Sequence, residues 1–273
     1  MLLTTLFALL SPLVTAVLYF TLFPDISPLW MLPIAVGGFI LFCVFHVLFL
    51  LVSAAFFSKE PPKRYSRFAH AVVTLTADWF LCLVRIRVRV KGKEKLPSEP
   101  FVLVSNHRAA MDALVALRAF PHRKLCFIAK SSILKWPIVG SYMLKSGCLF
   151  VERDMPLQSL RVINRAAKLI KTGMSFGIFP EGTRSKDGQI HNFKAGAFLL
   201  AKDAGVPILP IVLSGTTTML RKGTFWLNWR NRITIKVLEP VSREEVAERS
   251  IKEVMADVHD RMVETLAEME ANK

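Results

Sequence analysis

Hydrophobic and charged positions divide the chain into two parts. The first 57 residues contain no lysine or arginine and a single acid, Asp25, whereas the later residues mix apolar and charged positions throughout. Two uncharged stretches, Leu2 to Phe23 and Ile26 to Ser58, are each long enough to cross a bilayer as a helix. A turn with two prolines separates them. The pattern therefore predicts a membrane-anchoring transmembrane helical hairpin over residues 1–58.

Two other arrangements of this hydrophobic region stay open. Pro12 and Pro33 interrupt the apolar stretches, which is also typical of helices that enter a bilayer without crossing it. A hairpin buried in a globular core is the second arrangement, and the length of the stretches disfavours it. A secretory signal peptide is disfavoured because no basic residue precedes the first stretch.

The basic residues around the hairpin predict its orientation. The first turn has none, whereas the second stretch is followed at once by Lys59, Lys63, Arg64 and Arg67. Because basic loops stay in the cytoplasm, we expect an integral protein of the cell membrane with everything beyond residue 58 on the cytoplasmic side. Residues 59–84 are predicted to be a basic juxtamembrane segment and an amphipathic helix that lies on the membrane or packs on the following domain.

From residue 85 onwards, short apolar runs alternate with amphipathic stretches. The runs predict strands at 85–90, 101–105, 125–129, 148–151, 176–180, 208–213 and 233–238. Helical patterns are predicted at 112–120, 157–171 and 195–203, and a last helix from a capping box at Ser242 to the C-terminus. Residues 85–273 are therefore predicted to form a cytosolic α/β domain with a central, mostly mixed sheet flanked by helices.

Composition narrows the possible functions. All 36 basic residues and 20 of the 21 acids follow residue 57, and the sequence pI is about 10.0. This surplus of basic over acidic residues favours anionic partners. A non-catalytic module that binds nucleic acid or anionic membranes is therefore one possible class of function. The charge is dispersed and no nucleic-acid motif is present. The cysteines and histidines lack convergent spacing, so we expect no metal site.

The first candidate for chemistry is Ser105-Asn106-His107, which directly follows an apolar strand, with Asp112 five positions later. We expect His107 in the turn after the strand and Asp112 at the start of the helix. A carboxylate placed there could hold the imidazole in one tautomer, the arrangement that activates a hydroxyl. On this motif alone, a capping aspartate beside a structural histidine is an equally good interpretation.

Two further segments end predicted strands with polar residues. Phe179-Pro180-Glu181-Gly182-Thr183-Arg184-Ser185 combines a glycine that admits a close ligand, a hydroxyl, and an arginine suited to phosphate. Gly147-Cys148-Leu149-Phe150-Val151-Glu152-Arg153 ends with another arginine. Either segment alone could be a solvated loop with a surface ion pair. Their order along the chain makes a shared site the better interpretation.

These motifs form an ordered set. His107-x4-Asp112, Gly147-x-x-Phe150-x-x-Arg153, Phe179 to Arg184 and Val206-Pro207-Ile208-Leu209-Pro210 resemble, in sequence, the four blocks of the glycerolipid acyltransferase family, typified by the 1-acylglycerol-3-phosphate acyltransferases. The similarity covers about Lys91 to Glu239 and includes Phe193-Lys194-x-Gly196 after the third block.

The resemblance implies roles for single residues. His107 would be the general base and Asp112 its orienting partner. The residues implied at the acceptor's phosphate are Arg153, Glu181, Gly182, Thr183 and Arg184, with Lys130 nearby. The chain departs from the family at Ser132-Ile133, where Glu-Leu is frequent, and at Ala109, where Ser is frequent.

The resemblance also implies the reaction. An acyl group would pass from acyl-CoA or acyl-acyl-carrier-protein to the free hydroxyl of a lysophospholipid, foremost 1-acylglycerol-3-phosphate, giving phosphatidic acid for phospholipid biosynthesis. No metal and no cofactor is implied beyond the thioester co-substrate, and no nucleic acid. Another lysolipid acceptor stays open. The partners expected are membrane lipids, the acceptor and the acyl donor.

A last prediction comes from the residues alone. Aromatic and basic residues are interleaved between Met219 and Arg232, including Trp226 and Trp229. Tryptophan prefers the headgroup level of a bilayer, and adjacent cations favour an anionic surface. This segment could dock the domain on the membrane, or its aromatic residues could pack on the core.

Overall fold

The computed structural model describes residues 21, 28–57, 66–152, 155–185, 187–218 and 231–271. The chain forms two compact units, residues 1–59 and 60–273. In the first unit, helix α1 (Met31–Ala55) follows a short 3-10 turn, and its window Leu32–Ala55 has a mean hydropathy of 2.7. By length and composition, this is the single helix in the described part of the chain that could cross a membrane. Residues 2–23 lie outside that part except for Thr21, so the hairpin stays a prediction.

Most of the second unit is built on one mixed sheet. Its strands are β1 (Arg87–Lys91), β2 (Val102–Ser105), β3 (Leu125–Lys130), β4 (Leu149–Val151), β5 (Ser175–Ile178), β6 (Ile208–Ser214) and β7 (Arg232–Val237). They lie in the order β1-β7-β6-β2-β5-β3-β4, and every neighbouring pair is parallel except β6 and β7. Each predicted strand is found, and the mixed sheet is confirmed.

Strand direction decides which residues meet. Because β6, β2, β5, β3 and β4 run parallel, their carboxyl ends lie at one edge of the sheet, which we call the upper edge. Strands β7 and β1 run the opposite way, so their amino ends, at Arg232 and Arg87, lie at the same edge. Polar loops that follow the central strands are thereby gathered beside the start of β1 and β7.

Helices flank the sheet. They are α2 (Arg67–Leu83), α3 (Asp112–Ala119), α4 (Pro137–Ser146), α5 (Pro156–Ile170), α6 (Gly196–Ala204), α7 (Arg243–Glu248) and α8 (Ile251–Ala271). Helix α2 begins at Ser66, whose side chain accepts a hydrogen bond from Ala69 N, and it packs against α3 and α4 with Leu81 fully buried. The helix was predicted to lie on the membrane or to pack on the domain, and packing on the domain is observed. Phe68 and Leu75, on the same helix, are exposed.

Helix α4 was not predicted from the sequence. Its apolar residues follow no clear helical period, and its middle contains Gly140, a residue that usually weakens a helix. The glycine is required by packing, because a Cβ there would lie 2.6 to 2.8 Å from carbonyl atoms of Ile133 and Leu134. The preceding turn approaches α4 so closely that only glycine fits at position 140, even though glycine has a low helix propensity.

The prediction of one continuous C-terminal helix is wrong. The chain is extended at Arg249, which ends α7, and α8 begins two residues later. Ser242 and Glu245 exchange the two hydrogen bonds of a capping box, as predicted, and Ser250 and Glu253 form a second one. Two N-terminal caps eight residues apart separate the helices, and α8 then packs on β6 through Val254, Val258 and Met262.

We expect Ser250→Ala to lower the free energy of unfolding by about 1 kcal/mol, because it removes the side-chain acceptor for Glu253 N. Denaturant unfolding in detergent would measure the change. Ser141→Ala is the control, because the Ser141 hydroxyl only donates to the carbonyl of Pro137 within α4. Equal stability of the Ser250→Ala variant and the wild type would show that this cap does not support α8.

Candidate active site

The histidine and aspartate of the first motif form a direct pair. His107 lies in the turn after β2, and Asp112 is the first residue of α3. Nδ1 of His107 is 2.8 Å from Oδ2 of Asp112, which also accepts hydrogen bonds from the backbone N–H groups of Arg108 at 2.6 Å and Ala109 at 2.7 Å. Asp112 is fully buried. The carboxylate is thus fixed by the turn that it closes, and it places the ring proton of His107 on Nδ1.

An aromatic stack holds the imidazole ring from its face. Phe179 lies parallel to His107 with ring centroids 4.2 Å apart, and Phe127 stacks on Phe179 at 5.8 Å. The His107 side chain is 16% exposed, and Nε2 makes no hydrogen bond to any residue that the structure describes. The geometry leaves Nε2 as the open acceptor, in the position that a substrate hydroxyl would approach.

Glu181, in the loop after β5, binds the backbone of His107. Its side chain is buried, with the residue 5% exposed, and Oε1 accepts a hydrogen bond from His107 N at 2.9 Å. Oε2 accepts from His191 N at 3.3 Å, and the carbonyl of His107 accepts from Ser185 N at 2.8 Å. The carboxylate therefore ties the loop after β2 to the loop after β5. Burial raises the pKa of Glu181, and the two backbone hydrogen bonds partly offset the rise.

Asn106 anchors the same turn to the other neighbouring strand. It is fully buried, its amide donates to the carbonyl of Leu213 at 3.0 Å, and its side-chain oxygen accepts from Leu213 N at 2.8 Å. The Asn106 side chain thereby extends the hydrogen bonding between β2 and β6 beyond Ser105 and Ile211, the last paired residues of the two strands. Asn106 was not predicted to be a positioning residue, although its place between an apolar strand and the histidine was a signal.

The loop after β5 carries exposed polar groups beside His107. Gly182 has a φ of +73°, and a Cβ there would lie 3.1 to 3.3 Å from the side chain of Lys194. Thr183, Arg184 and Lys194 are exposed, and no described residue forms an ion pair with Arg184 or Lys194. Lys194 was noted only as part of a sequence block. Its contact with Gly182 adds a second cation to this loop.

The remaining predicted site residues lie along the same edge or outside the described chain. Lys130 ends β3, is exposed, and forms no ion pair with a described residue. Arg153 lies outside the described residues, as does most of the segment 219–232. Within the described ranges, no cluster of three or more His, Cys, Asp and Glu side chains is arranged to hold a metal ion.

Comparison with known proteins identifies the family. A family model described as Acyltransferase matches residues 87–214. The 1-acyl-sn-glycerol-3-phosphate acyltransferase of Saccharomyces cerevisiae is 31% identical over 208 residues, which cover 73% of this chain and 68% of the yeast protein. The chain belongs to this acyltransferase family.

A plant protein and a bacterial protein of known structure are also similar to this chain. The chloroplastic 1-acyl-sn-glycerol-3-phosphate acyltransferase LPAT1 of Arabidopsis thaliana is 32% identical over 74% of this chain, but the match spans only 58% of the plant protein. The crystal structure of the 1-acyl-sn-glycerophosphate (LPA) acyltransferase PlsC from Thermotoga maritima superposes with a TM-score of 0.65 at 27% identity. It covers 83% of this chain and 89% of that one. The mixed sheet with flanking helices is therefore the shared architecture.

We expect Glu181→Gln to lower kcat roughly tenfold to a hundredfold, because a glutamine has one oxygen and cannot accept from both His107 N and His191 N. KM for the acceptor should change little if Glu181 positions His107. Steady-state kinetics would separate the two constants. Glu264→Gln, on the exposed side of α8, is the matched control. A change in KM alone would contradict the positioning role.

The same variant tests the pKa of Glu181. Burial raises the pKa above the ordinary value of 4.5, so the ionised carboxylate costs free energy in the folded state. Its stabilising contribution is complete below the unfolded-state pKa and is lost as pH rises through the folded-state pKa. Wild type should therefore lose stability relative to Glu181→Gln as pH rises from the ordinary carboxyl range. A stability difference independent of pH would contradict this.

Proposed function

We propose that this acyltransferase moves an acyl group from an acyl thioester to the free hydroxyl of 1-acylglycerol-3-phosphate, giving phosphatidic acid. The observation that carries the proposal is the His107–Asp112 pair, with an open Nε2 next to an exposed basic loop. The yeast, plant and Thermotoga relatives are named for this acceptor. The alternative is transfer to a different lysolipid. An assay that compares several lysolipid acceptors would distinguish the two.

The proposed mechanism uses His107 as general base. Nε2 takes the proton of the acceptor hydroxyl while its oxygen attacks the carbonyl carbon of the thioester. Asp112 holds the ring through Nδ1 and stabilises the imidazolium that forms. When the tetrahedral intermediate collapses, the C–S bond breaks, and the leaving sulfur receives the proton from the imidazolium. One ester and one free thiol result, so the base is restored at the end of each turnover.

The phosphate of the acceptor is assigned to the cations beside the β5 loop. Arg184 offers a planar fork of donors, Lys194 a point charge, and Thr183 a hydroxyl, all of them exposed. Lys130, at the end of β3, and Arg153, which is included from its sequence block, complete the proposed set. Glu181 and Gly182 serve this site indirectly in the proposal, because a buried carboxylate holds the loops and a glycine leaves room for Lys194.

The proposal includes the cell membrane as the source of the acceptor. Helix α1 has the length and composition of a membrane span. We take residues 1–58 as the anchoring hairpin, 59–84 as the juxtamembrane segment, and 85–273 as the catalytic domain on the cytoplasmic side. Either acyl-CoA or acyl-acyl-carrier-protein fits the mechanism, since both present the same thioester.

We expect His107→Ala to abolish transfer and Asp112→Asn to lower kcat by roughly two orders of magnitude or more, through loss of the base and loss of its tautomer. Product formation from a thioester donor and 1-acylglycerol-3-phosphate, followed by mass spectrometry, would measure both. His122→Ala is the control, because His122 is an exposed loop residue. Near-normal turnover by a folded His107→Ala protein would refute the mechanism.

We expect Arg184→Ala to raise KM for 1-acylglycerol-3-phosphate about tenfold with a smaller change in kcat, because a charge-assisted contact binds the phosphate before and during the reaction. Monoacylglycerol, which lacks the phosphate, should react equally slowly with wild type and variant. Arg243→Ala removes an exposed arginine from α7 and serves as control. A rise confined to the KM of the acyl donor would contradict the assignment.

A further inference from the structure

A second cationic site lies at the other end of the upper edge, outside the machinery described so far. Arg87 and Arg89 on β1 and Arg232 on β7 converge on a shallow recess of about 200 Å³, whose lining also includes Thr234. All three arginines are exposed, and no described residue forms an ion pair with any of them. The proposed acceptor chemistry uses none of these side chains.

The register of the strands forces these charges together. Arg87 on β1 is the direct partner of Arg232 on β7, so two guanidinium groups project from neighbouring positions on one face. Like charges opposite each other in a sheet oppose pairing. The next like-charged partners along these strands, Lys91 and Lys236, are relieved because Lys236 is 2.7 Å from Glu268. The arginine pair has no such relief within the described protein.

Protection of an exposed sheet edge explains only part of this pattern. Charged residues on an edge strand discourage pairing with other chains, and β1 is an edge strand. Strand β7 is an interior strand between β1 and β6, so Arg232 has no edge to protect. Three guanidinium groups and the Thr234 hydroxyl line one recess, and groups of these kinds bind phosphate oxygens.

The location of the recess points to the donor rather than the acceptor. Three strand steps separate β1 from β2, which is about 14 Å at the usual spacing of about 4.8 Å. Arg87 and Arg232 begin their strands at the upper edge, the edge at which His107 follows β2. A ligand with phosphates in the recess would therefore need a long arm to bring its reacting group to His107.

The distribution of exposed apolar residues along the upper edge also favours a donor site at the recess. Exposed apolar residues follow β3 and β4, at the opposite end of the sheet order: Leu134, Trp136, Val139, Met155, Leu157 and Leu160. That end suits the chains of lipid substrates. The arginine recess is the cationic end, suited to the water-soluble part of a substrate.

We propose that the recess of Arg87, Arg89 and Arg232 binds the nucleotide phosphates of acyl-coenzyme A, with the pantetheine arm crossing β7 and β6 to present the thioester at His107. This assignment rests on the proposed function, because it names the donor for that reaction. Coenzyme A joins clustered phosphates to a thioester through a long flexible arm, which matches both the charge of the recess and its separation from His107.

The test is the variant Arg87→Gln/Arg89→Gln/Arg232→Gln, assayed with two donors. KM for acyl-CoA should rise about tenfold or more, because charge-assisted contacts are lost. KM for S-acyl-pantetheine, which has no nucleotide, should stay within about twofold of the wild-type value. The variant Lys168→Gln/Lys171→Gln/Lys252→Gln removes three exposed lysines, two within helices and one directly after α5, and controls for net charge.

Each alternative has its own result. An equal loss with both donors would overturn the proposal in favour of a lipid headgroup site, and so would a defect that follows the fraction of anionic lipid in the vesicles. Unchanged KM for acyl-CoA would overturn it outright, as would a wild-type enzyme that accepts only acyl carrier protein thioesters.

Direct binding separates this inference from the proposed function. Adenosine 3′,5′-bisphosphate should raise the thermal midpoint of the wild type and of His107→Ala, but not that of the triple arginine variant. This measurement needs no acyl transfer, so it stands even if the acceptor is not 1-acylglycerol-3-phosphate. Absence of any shift in the wild type would refute the nucleotide site while leaving the proposed transfer reaction untouched.

Discussion

The buried carboxylate of Glu181 is the contact on which the arrangement of the site depends. Strands β2 and β5 are parallel neighbours, so the turns that follow them leave the sheet side by side, with unpaired backbone N–H groups that must find acceptors. Glu181 supplies both acceptors from one side chain, to His107 N and His191 N. Removing this acceptor would leave the partly buried N–H of His107 unsatisfied, at a cost of about 1–3 kcal/mol.

Several buried polar side chains lie at the upper edge. Ser105, Asn106, Asp112 and Glu181 are all nearly or fully inaccessible, and each makes hydrogen bonds. Most of these bonds go to backbone groups of turns, so the polar network fixes loop conformation more than it links side chains to one another. A histidine whose own backbone N–H and carbonyl are both bound has little freedom to move. Its ring is then fixed by Asp112 on one edge and Phe179 on one face.

The sequence predicted the parts of the molecule that follow short-range rules. Alternating and continuous apolar runs identified the strands, and the spacing of His107 and Asp112 correctly required a turn followed by a helix start. The spacing of residues along the chain could not predict contacts that depend on the order of the strands in the sheet. The family resemblance implied that Glu181 lies at the acceptor's phosphate, whereas the pairing of β2 with β5 brings its carboxylate to the backbone N–H of His107. Helix α4 was missed because the contact that requires Gly140 comes from the preceding turn, and α8 was merged with α7 because the second cap resembled any other polar pair.

The local construction of the His107–Asp112 pair has a consequence for how such enzymes can diversify. The six residues from His107, in the turn after β2, to Asp112, the first residue of α3, contain both members of the pair, whereas the exposed cations lie on loops that other strands supply. Under the proposed function, the catalytic pair and the phosphate-binding cations therefore come from separate stretches of the chain. Under the proposed function, substitutions of exposed residues such as Lys130 and Arg184 can alter the accepted lipid while Glu181 and Phe179 continue to hold His107. The accepted lipid can then change in evolution while the proposed base and its orienting partner are kept.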